Sequence, residues 1–469
     1  MNTTAAFRTE HDSLGDRQVP AAAYWGIHSL RAVENFPISG VLVGSYPEFV
    51  SALATVKAAA AIANCELGVI SKAKSNAILA ACAILNDGRH HDQFVVDMIQ
   101  GGAGTSTNMN ANEVIANLAL EQLGEAKGRY HVLHPNDDVN ASQSTNDVYP
   151  TAMRLAILAM VPALQAALRE IRGAFAAKAT EFAHVHKVGR TQLQDAVPMT
   201  LGAEFRGFSV TIGEDIDRLG EAAKLLLEVN LGGTAIGTAI NTPDGYGPIV
   251  VGHLAQLSGL AFVQASDLIE ATSDLGAFVT FSAVLKRIGI KLSKICNDLR
   301  LLSSGPRAGL AEIALPAVQA GSSIMPGKVN PVIPEVMNQI AFQVIGNDLT
   351  VTFAAEAGQL QLNAMEPVAV FNIMQSLRIL TRGIETLSRR CIVGITAETE
   401  NCNRLLTGSL AMATVLVPIL GYEIAAKVAA RAAADGCSVL EALDRLRIPA
   451  SAAQAMARQA VLAGGDERG

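Results

Sequence analysis

Apolar residues recur at three- and four-residue spacing along six long stretches: residues 50–67, 155–182, 203–229, 266–302, 335–357 and 368–391. That period predicts helices. Several stretches exceed 20 residues and are apolar on more than one face, the pattern of a helix in the middle of a bundle. Pro162 is the one internal proline, and Ser304-Gly305-Pro306 is a strong stop for the fourth stretch. A shorter Ala-rich helix is predicted from Glu423 to Ala434. No strand–helix alternation is present, so the pattern reads as all-α.

Between these helices lie four segments too rich in Gly, Ser, Thr, Asn and Pro to be ordinary connections: 101–112, 134–150, 189–200 and 321–334. Long polar loops on a helical scaffold are where chemistry usually sits. A composition change at residues 396–403 marks a boundary before a small C-terminal domain.

Composition narrows the picture. With 50% hydrophobic residues, 17% charged, 4% aromatic and one Trp, the chain must bury much surface with small side chains. Roughly one residue in six is Ala. The net charge of -7 argues against a nucleic-acid partner, which needs clustered Lys and Arg. The six Cys are scattered, without C-x-x-C pairs or zinc-like spacing, and read as free thiols in a reducing cytoplasm. The mean hydropathy of +0.30 raises the question of a membrane. The two longest runs free of Asp, Glu, Lys and Arg are 245–266 and 405–422, and both are broken by Gly, Pro and polar residues. A third apolar run, 155–168, is too short and holds Pro162 and Gln165, so the expectation is a soluble chain without a membrane partner.

The polar segments share a chemistry. They hold Thr105, Ser106, Thr107 and Asn108; Ser142, Ser144, Thr145 and Asn146; Thr191 and Gln192; and Ser322, Ser323, Lys328 and Asn330. Uncharged donors with one cation suit an anion carrying two carboxylates. Any one such Ser or Thr is ordinarily a cap or a turn, and only the convergence of four segments points to a ligand. The run from Gly321 to Lys328 misses a phosphate loop by one residue of spacing and by Val329 where Ser or Thr is needed.

That same run continues as G-S-S-I-M-P-G-K-V-N-P from Gly321 to Pro331. It resembles the signature loop of the aspartase/fumarase superfamily, G-S-S-x-M-P-x-K-x-N-P. The likeness extends to G-G-A-G-T-S-T-N-M-N from Gly101, H-P-N-D-D-V-N-A-S-Q-S-T-N-D from His134 and G-R-T-Q-L-Q-D-A-V-P from Gly189, and it runs from Leu14 to Lys427. Thr105-Ser106-Thr107-Asn108 and Thr191-Gln192-Leu193 resemble the aspartase branch, where fumarases typically read T-Q-S-N and T-H-L.

The resemblance implies a three-domain subunit, here 1–141, 142–396 and 397–469, with a long central helical bundle. It implies a homotetramer with a twenty-helix core and active sites shared by three subunits. The implied reaction is reversible elimination of ammonia from L-aspartate to fumarate, with no organic cofactor and no metal ligand set; activation by a divalent cation is left open. By the motif match, Ser322 is the general base that removes the C3 proton, acting as an alkoxide, and an aci-carboxylate dianion follows. Thr105, Ser144, Thr145 and Ser323 match residues that hold the carboxylate gathering charge, with Ser106 and Thr107 beside them. Lys328, Asn330 and Thr191 match the grip on the other carboxylate. Asn146 and Gln192 match positions near the departing amine, and Glu335 and Met325 support them.

Gln192 stands where fumarase-like relatives have a His paired with a Glu matching Glu335. A leaving hydroxide needs an acid, whereas ammonia departs unaided, so Gln there suits an ammonia-lyase. The alternatives are a fumarase-type hydratase, a lyase for a substituted aspartate, and a crystallin-like structural protein. The sequence departs from the superfamily pattern at Leu118 and Ala203, where Arg and Gln are expected, and at Asp138, where His is common.

Overall fold

Pro47 opens a helix that runs to Glu66, in the first turn where a missing N–H costs nothing. Behind it the run is so rich in Ala that most of the helix is buried, and small side chains let neighbours approach closely. The computed structural model describes residues 6–449 and residue 451. Long helices follow at Lys72–Asn86, Thr105–Gln122, Thr145–Glu181, Leu201–Lys224, Gly276–Leu302, Val332–Glu356 and Glu366–Arg390. At 37 residues the Thr145–Glu181 helix is about 55 Å long, and it absorbs both Pro150 and Pro162. Among the described residues strands occur only as short two-stranded pairs, so the all-α reading holds.

The chain divides into two compact units. One takes the described residues up to Leu164 with Arg218–Lys286 and Gln343–Arg378; the other takes Gln165–Asp217, Arg287–Phe342 and the described residues from Ile379 on. In the second unit Phe175, Phe182, Phe205 and Phe208 form a ring cluster with centroids 5.4 to 6.2 Å apart. That cluster spends many of the chain's few aromatics in one place. The end of the segment 397–469 lies outside the described residues.

Several local expectations need correction. The stretch 266–302 is two helices, Leu268–Ser273 and Gly276–Leu302, because Asp274 turns extended and its carboxylate accepts the Gly276 N–H at 2.8 Å. The polar segment 101–112 is helical from Thr105 onward, and 134–150 is helical from Thr145. Much of the polarity there belongs to buried helix turns, where Asn108 and Asn112 both donate to Asn140 Oδ1. The segment 189–200 belongs to a β-hairpin, His186–Thr191 paired with Gln194–Thr200. The helix Lys72–Asn86, capped by Ser71, is not among the expected elements, because its apolar residues run without a break from Ala77 to Leu85 and so show no three- and four-residue period.

Among the described residues two helices are long and apolar enough to cross a membrane by length and composition, Pro47–Glu66 and Thr145–Glu181, with a third if the bent pair Thr399–Gly408 and Leu410–Leu420 is counted as one span. The second contains the run 155–168 that looked too short, because the helix extends well past it on both sides. Their apolar windows are 72% and 67% buried inside the protein, which accounts for the composition without a bilayer.

Candidate active site

In the first unit the site residues stand at two helix starts. Gly104 takes a left-handed φ of 86° to admit Thr105 to the first helical turn. A Cβ at Gly104 would sit 2.4 Å from the Tyr149 ring, so the glycine also lets the ring close against the turn. Thr105 is exposed and donates its hydroxyl to Gly102 O at 2.7 Å, while Ser106 is half-buried. Thr107 faces inward, fully buried, with its N–H and hydroxyl both on Gln100 Oε1. The structure therefore brings Thr105 and Ser106 to the surface of the turn and gives Thr107 to the interior.

The second start is built around Asp147. One carboxylate oxygen accepts the Ser144 N–H at 2.9 Å; the other accepts the N–H groups of Gly232 and Thr234, each at 3.0 Å. Ser144 returns the favour at the helix end, its Oγ accepting the Asn146 N–H at 3.2 Å. Asn146 donates to Ala235 O at 2.8 Å. Thr145 Oγ1 accepts from Asn108 Nδ2 at 3.0 Å. Both hydroxyls thus serve as acceptors within the protein, which leaves each O–H proton free for a ligand.

Charge lies beneath these turns. Lys57 is completely enclosed, and burial pushes its ammonium down to about 7 against the attraction of Asp147. Burial pushes Asp147 up to about 6, opposed first by its backbone donors. The Oδ1 atoms of Asn108 and Asn112 are buried without a hydrogen-bond partner among the described residues. Sequence reasoning missed Lys57, Asn112, Asn140 and Asp147; a lysine inside the Ala-rich run 52–63 was the available signal. Of the three departures from the superfamily pattern, Leu118 is buried in its helix and Ala203 half-buried in another. Asp138 is bound to Lys74 Nζ at 2.7 Å and to the His134 N–H at 2.8 Å, so its charge is spent locally.

In the second unit Thr191 and Gln192 form the exposed tip of the hairpin. Gln192 and Leu193 take φ of 54° and 62°, the left-handed pair of a type I′ turn without the usual glycine. The base of the hairpin is held by Glu312, fully buried, which pairs with Lys187 at 2.8 Å and Arg190 at 2.7 Å.

The remaining candidates other than Glu335 lie on one loop. Gly321 N–H donates to Lys328 O at 2.8 Å, and Asn330 Nδ2 donates to Gly321 O at 2.7 Å, closing the loop at its neck. A Cβ on Gly321 would fall 2.3 Å from Lys328 O, so the neck requires glycine. Inside the turn, Ser322 Oγ accepts two backbone N–H groups, from Ile324 at 3.2 Å and Met325 at 3.0 Å. Two donors on one oxygen favour its ionised form. Ser323, Met325 and Lys328 are exposed, and Glu335 is half-buried in the first turn of the Val332–Glu356 helix. Asn330 is committed to the neck in this structure.

Residues 15–346 match the family model described as lyase. An aspartate ammonia-lyase from Pseudomonas fluorescens is 62% identical over 94% of this chain and 92% of its own length. The chain belongs to this lyase family. Among solved structures, a fumarate lyase:delta crystallin from Brucella melitensis superposes with a TM-score of 0.95 at 57% identity, covering 98% of this chain and 100% of that one. A class II fumarase from Schistosoma mansoni gives 0.90 at 34% identity, covering 95% and 96%. Proteins named aspartate ammonia-lyase and class II fumarase are thus both among the relatives this lyase-family chain resembles.

Proposed function

We propose that the protein releases ammonia from L-aspartate to give fumarate, reversibly. What carries this reading is the 62% identity, over nearly the whole chain, to a protein named aspartate ammonia-lyase. Ser322 supports it: its hydroxyl is the one candidate base whose oxygen two backbone N–H groups already serve. In the proposed reaction Ser322 Oγ, as alkoxide, takes the C3 proton. The electron pair delocalises onto the adjacent carboxylate, and the C–N bond then breaks to leave ammonia. Thr105, Ser144, Thr145 and Ser323 stabilise the carboxylate that gathers charge, and Lys328, Asn330 and Thr191 bind the other. Gln192 has no acidic proton to give a leaving group, which a hydratase would need and an ammonia-lyase does not.

The proposal includes three domains at 1–141, 142–396 and 397–469, cytoplasmic location, and a homotetramer in which three subunits build each site. An exposed apolar row on the Val332–Glu356 helix supports assembly: Phe342 and Phe353 are 63% and 64% exposed, with Ile345 and Leu349 between them. The test is a substrate panel of aspartate, malate and N-substituted aspartates followed by fumarate's ultraviolet absorbance. Growth with aspartate alone supports the reading. Growth with malate and none with aspartate makes the protein a hydratase.

A further inference from the structure

Lys57 has no part in the chemistry proposed above, yet it is a cation shut inside the first unit. Its ammonium donates to Asn140 Oδ1 at 2.8 Å and to Gln143 Oε1 at 3.0 Å, and no carboxylate lies within ion-pair distance among the described residues. A buried ammonium whose hydrogen bonds go only to neutral amides, with Asp147 attracting it without an ion pair, is expensive, and a simple packing role would be served better by an apolar side chain. What the charge does is organise Asn140. That same Oδ1 also receives Asn108 Nδ2 at 3.1 Å and Asn112 Nδ2 at 3.2 Å. Asn108 Nδ2 in turn reaches Thr145 Oγ1 at 3.0 Å. The relay therefore runs from Lys57 through Asn140 and Asn108 to a hydroxyl at the start of the Thr145–Glu181 helix. Because Thr145 accepts from Asn108, its own proton is free to be donated.

We propose that Lys57 is a positioning residue for the substrate carboxylate, holding Asn140 and Asn108 so that Thr145 donates its hydroxyl proton to the ligand. The inference rests on the ammonia-lyase reading and on Thr145 binding substrate. It differs from a packing role in one respect: the effect of Lys57 must pass through Thr145. Ser142, whose hydroxyl donates to Asn64 Oδ1 at 2.6 Å, and Asn64, which donates to Ala141 O at 2.8 Å, fix the neighbouring turn independently of this relay.

The experiment is a double-mutant cycle on kcat/KM for aspartate, with Lys57→Met, Thr145→Val and the pair, on full-length protein checked for an intact melt. Lys57→Met is expected to lower kcat/KM at least about tenfold in the wild-type background and less than about twofold in the Thr145→Val background. An equal loss in both backgrounds, or none in either, overturns the proposal. Should Lys57→Met fail to fold, Asn108→Ala takes its place in the same cycle with the same two outcomes. Wild-type protein without activity on aspartate would instead sink the functional reading, so the two failures are distinct.

Discussion

A serine hydroxyl keeps its proton throughout the physiological range, so Ser322 can act as a base only if its surroundings favour the alkoxide. The N–H groups of Ile324 and Met325 supply that preference directly, and closure of the loop at Gly321 and Asn330 fixes them in place. Removing a positioned general base typically costs two to four orders of magnitude. Gly104 is a second residue whose identity is dictated by geometry. Gly104→Ala would force a Cβ into the Tyr149 ring at a φ of 86°. The expected outcome is a loss of about 2–4 kcal/mol in a denaturant melt, with the Thr105 turn displaced.

At the scale of elements, the start of the Thr145–Glu181 helix depends on one carboxylate. Asp147→Ala leaves three N–H groups, those of Ser144, Gly232 and Thr234, without their acceptor. A loss of about 3–5 kcal/mol in unfolding free energy is expected, along with a higher KM for aspartate as Ser144 and Thr145 lose their places. A melt unchanged within about 1 kcal/mol would show that water replaces the carboxylate at no cost. The long helices were legible in the sequence because their apolar period is sustained for 20 residues or more. The polar segments were legible as residue types but not as shapes. Thr107, Asn108 and Asn112 look like loop residues and are buried helix residues, because their side-chain donors find acceptors inside, Thr107 on Gln100 and both amide nitrogens on Asn140 Oδ1. The hairpin tip was hidden because Gln192 and Leu193 lack the Asn-Gly signal of a type I′ turn. Lys57 was hidden because nothing local to an Ala-rich helix reveals which side chain faces Asn140, 83 positions away.

For the whole molecule, buried charge makes stability depend on pH. Glu113 accepts the N–H groups of Gly26, His28 and Ser29, and burial pushes its carboxyl up to about 7. A carboxyl raised in the folded state stabilises fully below its unfolded value near 4.5, and that contribution disappears as pH rises through about 7. Glu113→Gln removes the titration, so the deficit of the variant against wild type should shrink by on the order of 3 kcal/mol between pH 4.5 and 7.5. Urea midpoints across that range check it, and a deficit constant with pH would contradict the assignment. The apolar composition makes physical sense at this scale too. Ala-rich helices bury one another within the chain, and the row of Phe342, Ile345, Leu349 and Phe353 stays exposed, available to the partner subunit of the proposed tetramer. Sedimentation at micromolar concentration should therefore report a tetramer, and a monomer there would remove the shared site from the proposal.

If Ser322 is the base in the release of ammonia from aspartate, turnover by Ser322→Ala beside wild type reveals it. Fumarate appearance from aspartate should fall at least about a hundredfold in the variant with its melting temperature unchanged. A variant that produces fumarate at the wild-type rate would contradict the account.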